Sequence, residues 1–80
     1  MFEELKEKLD ELDIDYTLVD KNECLTIDRD IRTRMVIIWD KQYDLCAFYI
    51  KNTTKDTIGT EDNLGKLIAI IARYYEGEDT

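Results

Sequence analysis

Histidine and proline are both absent from this chain of 80 residues, glycine occurs three times and cysteine twice. Without histidine there is no imidazole base, no catalytic triad and no imidazole ligand for a metal. The lack of proline and the scarcity of glycine argue against a disordered or low-complexity segment. Gly59, Gly65 and Gly77 match neither the Walker nor the dinucleotide-binding spacing, so a glycine-rich phosphate loop is excluded. No apolar run is long enough to span a bilayer, and the opening MFEELKEKLDEL is acidic and amphipathic, the reverse of a signal peptide. A cytoplasmic protein without membrane contact is expected.

Cys24 and Cys46 fall inside strand-like segments with no second pair, which suits reduced core thiols better than a disulfide framework or a zinc site. Asp13-Ile14-Asp15 and Asp28-Arg29-Asp30 are the best carboxylate pairs for a cation. Neither runs on into a calcium loop, which needs a further oxygen ligand and then glycine. No metal, no cofactor and no enzymatic activity is expected. Asn52-Thr53-Thr54 fits a glycosylation sequon, which carries no consequence without secretion.

The length fits one domain, residues 1–80, with a thin core and little room for a deep pocket. Hydrophobic periodicity predicts an α+β domain in the order α-β-β-β-β-α, a mostly antiparallel sheet packed with two helices. A first helix is expected from Phe2 to Leu12, followed by strands over Ile14 to Val19, Cys24 to Asp28, Arg34 to Trp39 and Leu45 to Lys51. A polar turn, Asp20-Lys21-Asn22-Glu23, separates the first two. Met35 to Trp39 has no polar break, which predicts a central strand covered on both faces. The short turn from Asp40 to Asp44 predicts an antiparallel hairpin between the last two strands.

The closing helix is expected to start at Thr60 as N-cap, with Glu61 and Asp62 at the positive end of its dipole, Arg73 in its last turn and Gly77 beyond it. Leu64, Leu67, Ile68, Ile71 and Tyr75 form its core stripe, and Gly65, Ala69 and Ala72 a small-residue edge. Two short helices either cover one sheet face together, leaving the other for a partner, or take one face each. In the first case self-association as a homodimer is the simplest outcome.

Charge is the chain's most informative property. Nineteen carboxylates face eleven basic side chains, a formal net charge of -8, and eight of the nineteen fall within the first twenty residues. On a helical wheel Phe2, Leu5, Leu9 and Leu12 make an apolar stripe, with Glu3, Glu4, Glu7, Asp10 and Glu11 opposite it. Glu3 with Glu7, and Glu7 with Glu11, are like charges four residues apart, which costs an isolated helix roughly 0.2 to 0.5 kcal/mol each. Glu4 with Lys8 and Lys6 with Asp10 offset part of that.

Asp13, Asp15 and the tail acids Glu76, Glu78 and Asp79 extend the row. A dense carboxylate row on a rigid helix imitates the phosphates of a nucleic acid and suits a basic nucleic-acid-binding protein, drawn in by long-range steering. Direct binding to nucleic acid is the reverse case and is disfavoured by the net charge of -8. The bland alternative is a solvated face that keeps the protein soluble. Tyr43, in a turn, and Tyr74, off the helix stripe, are candidate exposed contacts. Arg29, Arg32 and Arg34 form one basic cluster, suited to anchoring at the rim or to pairing with Asp28 and Asp30.

In size, charge and helix-strand order the chain resembles the small acidic inhibitors that phages and mobile elements direct against host nucleases, anti-CRISPR and anti-restriction proteins. The resemblance carries no diagnostic motif. It implies a stoichiometric inhibitor of a defence nuclease complex, occupying that complex's nucleic-acid-binding surface. Two alternatives stand beside it: a self-associating structural or regulatory module using an apolar sheet face, and an accessory subunit active only in a larger assembly.

Overall fold

The computed structural model contains α1 (Phe2–Glu11), β1 (Thr17–Asp20), β2 (Cys24–Asp30), β3 (Thr33–Asp40), β4 (Leu45–Lys51), β5 (Thr57–Glu61) and α2 (Leu64–Glu76). It describes residues 1–20, 22–52 and 55–77. Lys21, the two sequon threonines Thr53 and Thr54, and the tail acids Glu78 and Asp79 lie outside those described residues. The α+β class and the antiparallel sheet agree with the sequence reading. The sheet holds one strand more than expected.

The strands form a meander in the order β1-β2-β3-β4-β5, with every neighbouring pair antiparallel and β3 at the centre. Both helices lie on one face. Phe2, Leu5 and Leu9 of α1 and Leu67, Ile71 and Tyr74 of α2 close over Leu25, Ile27, Met35, Ile37, Cys46 and Ile50 in a single buried cluster. The expectation that Met35 to Trp39 would be covered on both faces is therefore corrected. Met35 and Ile37 are buried against the helices, whereas Ile38, on the opposite face, remains 51% exposed.

The fifth strand displaces the expected start of α2. Thr60 and Glu61 pair with Ala47 and Cys46 of β4, and the helix is instead capped by Asn63, whose side chain accepts the Lys66 N–H at 3.0 Å. No acidic residue stands in its first turn. Gly59 makes this edge pairing possible, because a Cβ there would come within 2.6 Å of the tip of the Phe48 ring on the neighbouring strand. The ring fills the space over the glycine, a cross-strand arrangement that compensates for the missing side chain. At the far end of α2, Gly77 takes a left-handed conformation with φ 83° and ends the helix, as expected from the sequence.

Tyr74 also corrects the sequence reading. It is 1% exposed and anchors the core, while Tyr75 only packs partly against it. Its hydroxyl is 2.6 Å from the Ile27 carbonyl and 3.2 Å from that of Thr33, and it accepts the Arg29 N–H at 3.2 Å. These groups lie where the β2–β3 register shifts between Asp28 and Asp30. A bulge leaves ladder groups unpaired, and the Tyr74 hydroxyl satisfies them from α2. The Arg29 guanidinium returns to the helix, donating to the Tyr74 carbonyl oxygen at 3.2 Å.

Candidate functional site

α1 is held by its apolar residues at positions 2, 5 and 9, all buried, so every other side of the helix is turned outward. Glu3, Glu4, Glu7, Asp10 and Glu11 are exposed, and Asp13 and Asp15 continue the exposed acidic surface past the helix end. Asp13 terminates the helix in a left-handed conformation with φ 59°. The Ile14 N–H donates to the Leu9 carbonyl at 3.0 Å and the Asp13 N–H to that of Asp10 at 3.2 Å. This is the Schellman pattern, with Ile14 and Leu9 buried together beneath it. A residue with a Cβ is thus held where glycine is more comfortable, and it contributes a carboxylate there.

Local lysines answer part of the charge. Lys6 reaches Glu3 at 2.8 Å, and Lys8 reaches Glu11 at 3.2 Å rather than the expected Glu4. The Met1 amino group lies 4.0 Å from Glu4 and 3.5 Å from Asp44. Among the described residues, Glu7, Asp13 and Asp15 make no ion pair, and Arg29 and Arg34 pair with Asp30 and Asp28 instead of with the array. Asp10 has a different neighbour. Burial, and after it the Asp10 carboxylate, raises the Tyr16 phenol above its ordinary value.

The remaining sequence candidates separate. Tyr43 is 67% exposed in the β3–β4 turn, which sits at the N-terminal end of α1 because Asp44 contacts both the Met1 amino group and the Trp39 indole N–H. Glu76 is exposed at the end of α2 and borders a shallow cleft with Leu12, Ile14, Ala72 and Tyr75, close to the other end of α1. Both flank the acidic row. Tyr74 is removed from the candidate surface by its burial.

The three arginines are mostly engaged by their neighbours. Arg34 holds Asp28 through two hydrogen bonds of 2.6 and 3.2 Å, which keeps the Asp28 carboxyl below the usual range. Arg29 is bound to Tyr74 and lies 3.7 Å from Asp30. The Arg32 N–H donates to Asp30 at 2.8 Å, which lowers the Asp30 carboxyl. Beside this cluster Ile31 stands 99% exposed at the hairpin tip. Sequence reasoning passed over it, although an isoleucine inside a charged turn was a visible signal.

A second surface is the sheet face away from the helices. The strand registers place Val36, Ile38, Leu45, Ala47, Tyr49 and Ile58 together on it, with Ile58 77% exposed. Cys24 belongs to this face and is half-buried, which corrects its assignment to the core; only Cys46 is a core thiol, pushed up to about 11 by burial. The two sulfurs lie on opposite sides of the sheet. Among the described residues no group of three or more cysteine, aspartate or glutamate side chains converges to hold a metal ion, and no helix is long and apolar enough to cross a membrane.

Comparison with protein-family models, with curated proteins and with solved structures yields no match.

Proposed function

We propose that this domain is a protein-binding inhibitor whose acidic α1 face occupies a basic nucleic-acid-binding surface of another protein. The supporting observation is the spacing of carboxylates along α1. Glu3, Glu4, Glu7, Asp10 and Glu11 span about 12 Å of helix axis at 1.5 Å per residue, one carboxylate per ~3 Å. That is close in spacing to the ~3.4 Å per phosphate of one nucleic acid strand, with a lower net charge density because Lys6 and Lys8 pair with Glu3 and Glu11. Asp13 and Asp15 extend the row beyond the helix, and Tyr43 and Glu76 flank its two ends.

The energetics favour a role over mere solubility. Solubility needs net charge anywhere on the surface, whereas stacking like charges at four-residue spacing gives up helix stability. The target class implied by the chain's resemblance is a defence nuclease complex, of the kind that anti-CRISPR and anti-restriction inhibitors occupy.

The test is competition. The wild-type chain should displace labelled duplex DNA from a CRISPR or restriction nuclease and suppress cleavage, with an apparent affinity that falls steeply with added salt. Reversal of Glu3, Glu7 and Glu11 to lysine should abolish displacement while the far-UV circular dichroism and melting profile survive. Unchanged displacement by the reversed variant would reduce the array to a solubilising surface.

A further inference from the structure

With both helices on one side, the opposite sheet face is left uncovered, and its chemistry differs from the rest of the surface. Across β2 to β5 its charged residues are Asp28 and Asp40 against Arg34 and Lys51, with Asp20 of β1 opposite Cys24 and Asp56 holding the Tyr49 hydroxyl at its edges, so the face carries little of the domain's net charge of -8. The charges sit at its two ends. On β3 Arg34 stands at one end and Asp40 at the other, with Val36 and Ile38 between them on the same face.

The residue sizes are arranged about the row through Ile37, Phe48 and Gly59, which the registers align. On each side of that row the open face carries a larger and a smaller side chain: Tyr49 and Ala47 on β4, Ile58 and Thr60 on β5. A rotation of 180° about an axis lying along this row, across the strands, turns the face onto itself. It sets Tyr49 over the second copy's Ala47 and Ile58 over its Thr60, so that large meets small as interdigitating layers require. The same rotation sets Arg34 over the second copy's Asp40. An axis along the strands would instead set Arg34 over Arg34 and Asp40 over Asp40.

We propose that this face is the interface of a homodimer, a second copy of the chain packing against it as a two-layer sheet with the two-fold axis crossing the strands over Ile37. The surface is isologous, as closed two-fold pairing demands. Strand spacing and rise make the face roughly 20 Å on each side, a footprint below the ~800 Å² per partner of a standard interface. The dimer is therefore weak and concentration-dependent. Most of the excess negative charge lies outside the contact, and each copy displays its α1 outward, giving a bivalent acidic particle.

Sedimentation equilibrium of the full chain in 0.15 M salt should show the mass rising from 9.5 kDa toward twice that value at concentrations of roughly 0.1 to 1 mM. Ile38→Lys and, independently, Ile58→Lys should each weaken dimerisation at least tenfold with the melting profile retained, since both side chains already face solvent in one copy. Arg34→Glu should weaken it, and adding Asp40→Arg should restore it, because the across-strand axis exchanges those two positions. The urea midpoints of both variants measure separately the ties each residue makes within its own copy, Arg34 to Asp28 and Asp40 to the N–H groups of Gln42 and Tyr43. A strict monomer across that range, or a dimer indifferent to both isoleucine substitutions, overturns the proposal. A dimer disrupted by the isoleucine changes but further weakened by the double charge exchange overturns the across-strand axis. The dimer and the acidic array have separate readouts, since reversal of Glu3, Glu7 and Glu11 leaves the sheet face intact.

Discussion

The Tyr74 hydroxyl lies 2.6 Å from the carbonyl oxygen of Ile27, forty-seven residues away in sequence, and so bolts the last helix to the bulge in β2. Tyr74→Phe keeps the ring and removes only the oxygen, leaving the Arg29 N–H without its acceptor. The expected loss is about 1 to 3 kcal/mol in urea unfolding, the cost of an unsatisfied buried polar group. A variant as stable as the wild type would mean that water reaches the bulge.

The same residue sets an alkaline limit. Burial raises the Tyr74 phenol above its ordinary value of 10.0, so the folded state keeps a proton that the unfolded state has released. Native protein then binds more protons than unfolded protein, and stability falls as pH climbs past that value. Tyr16, raised chiefly by burial, and Tyr49, raised by its hydrogen bond to Asp56, act in the same direction. Tyr74→Phe should flatten part of the decline, measured as the dependence of the urea midpoint on pH.

Gly59→Ala is expected to destabilise the fold by about 1 to 3 kcal/mol, the usual range for overpacking, because its methyl would meet the Phe48 ring. Phe48→Leu costs stability by itself, but the double variant should lose less than the sum. A double-mutant cycle in thermal or urea unfolding measures that coupling; strict additivity would place the strain elsewhere.

Glu7→Lys should raise stability by about 1 kcal/mol, since it turns two like-charge pairs at four-residue spacing into attractive ones. On the proposed function it should also weaken target binding. Stability from thermal melts and affinity from competition titrations are expected to move in opposite directions. A neutral effect on both would show that Glu7 is merely solvated.

A thiol reagent at neutral pH should modify the native chain once, at half-buried Cys24, and slowly, because burial and then the Asp20 carboxylate raise that thiol as well. Cys46, fully buried and pushed up to about 11, reacts only after unfolding. Intact mass before and after urea addition counts the labels. Cys24 faces the proposed dimer interface, so its modification should slow as protein concentration rises. Two labels on the folded protein would contradict the packing of Cys46.

Much of the local structure was legible in the chain. The 2, 5, 9 spacing marked α1, the unbroken Met35 to Trp39 run marked the central strand, and Gly77 marked the end of α2. Leu67, Ile71 and Tyr74 follow the spacing i, i+4, i+7, so the buried tyrosine was also readable; choosing Tyr75 followed a neighbouring stripe. β5 was not readable. Thr57, Ile58 and Thr60 are β-branched, but the segment is short, Gly59 interrupts it, and its polar end imitates a helix cap until β4 and the Phe48 ring are placed beside it.

For function, the composition by itself determined that the surface is acidic, that histidine chemistry is absent and that the first helix carries its carboxylates opposite its apolar stripe, because these are properties of residue type and helical period. Which sheet face the helices cover was decided only by the tertiary structure. Val36 and Ile38 are as apolar as Met35 and Ile37, and alternation along a strand divides side chains between two faces without saying which one is buried. Packing α1 and α2 together on one side settled it, leaving the acidic helix outermost and the apolar sheet face uncovered.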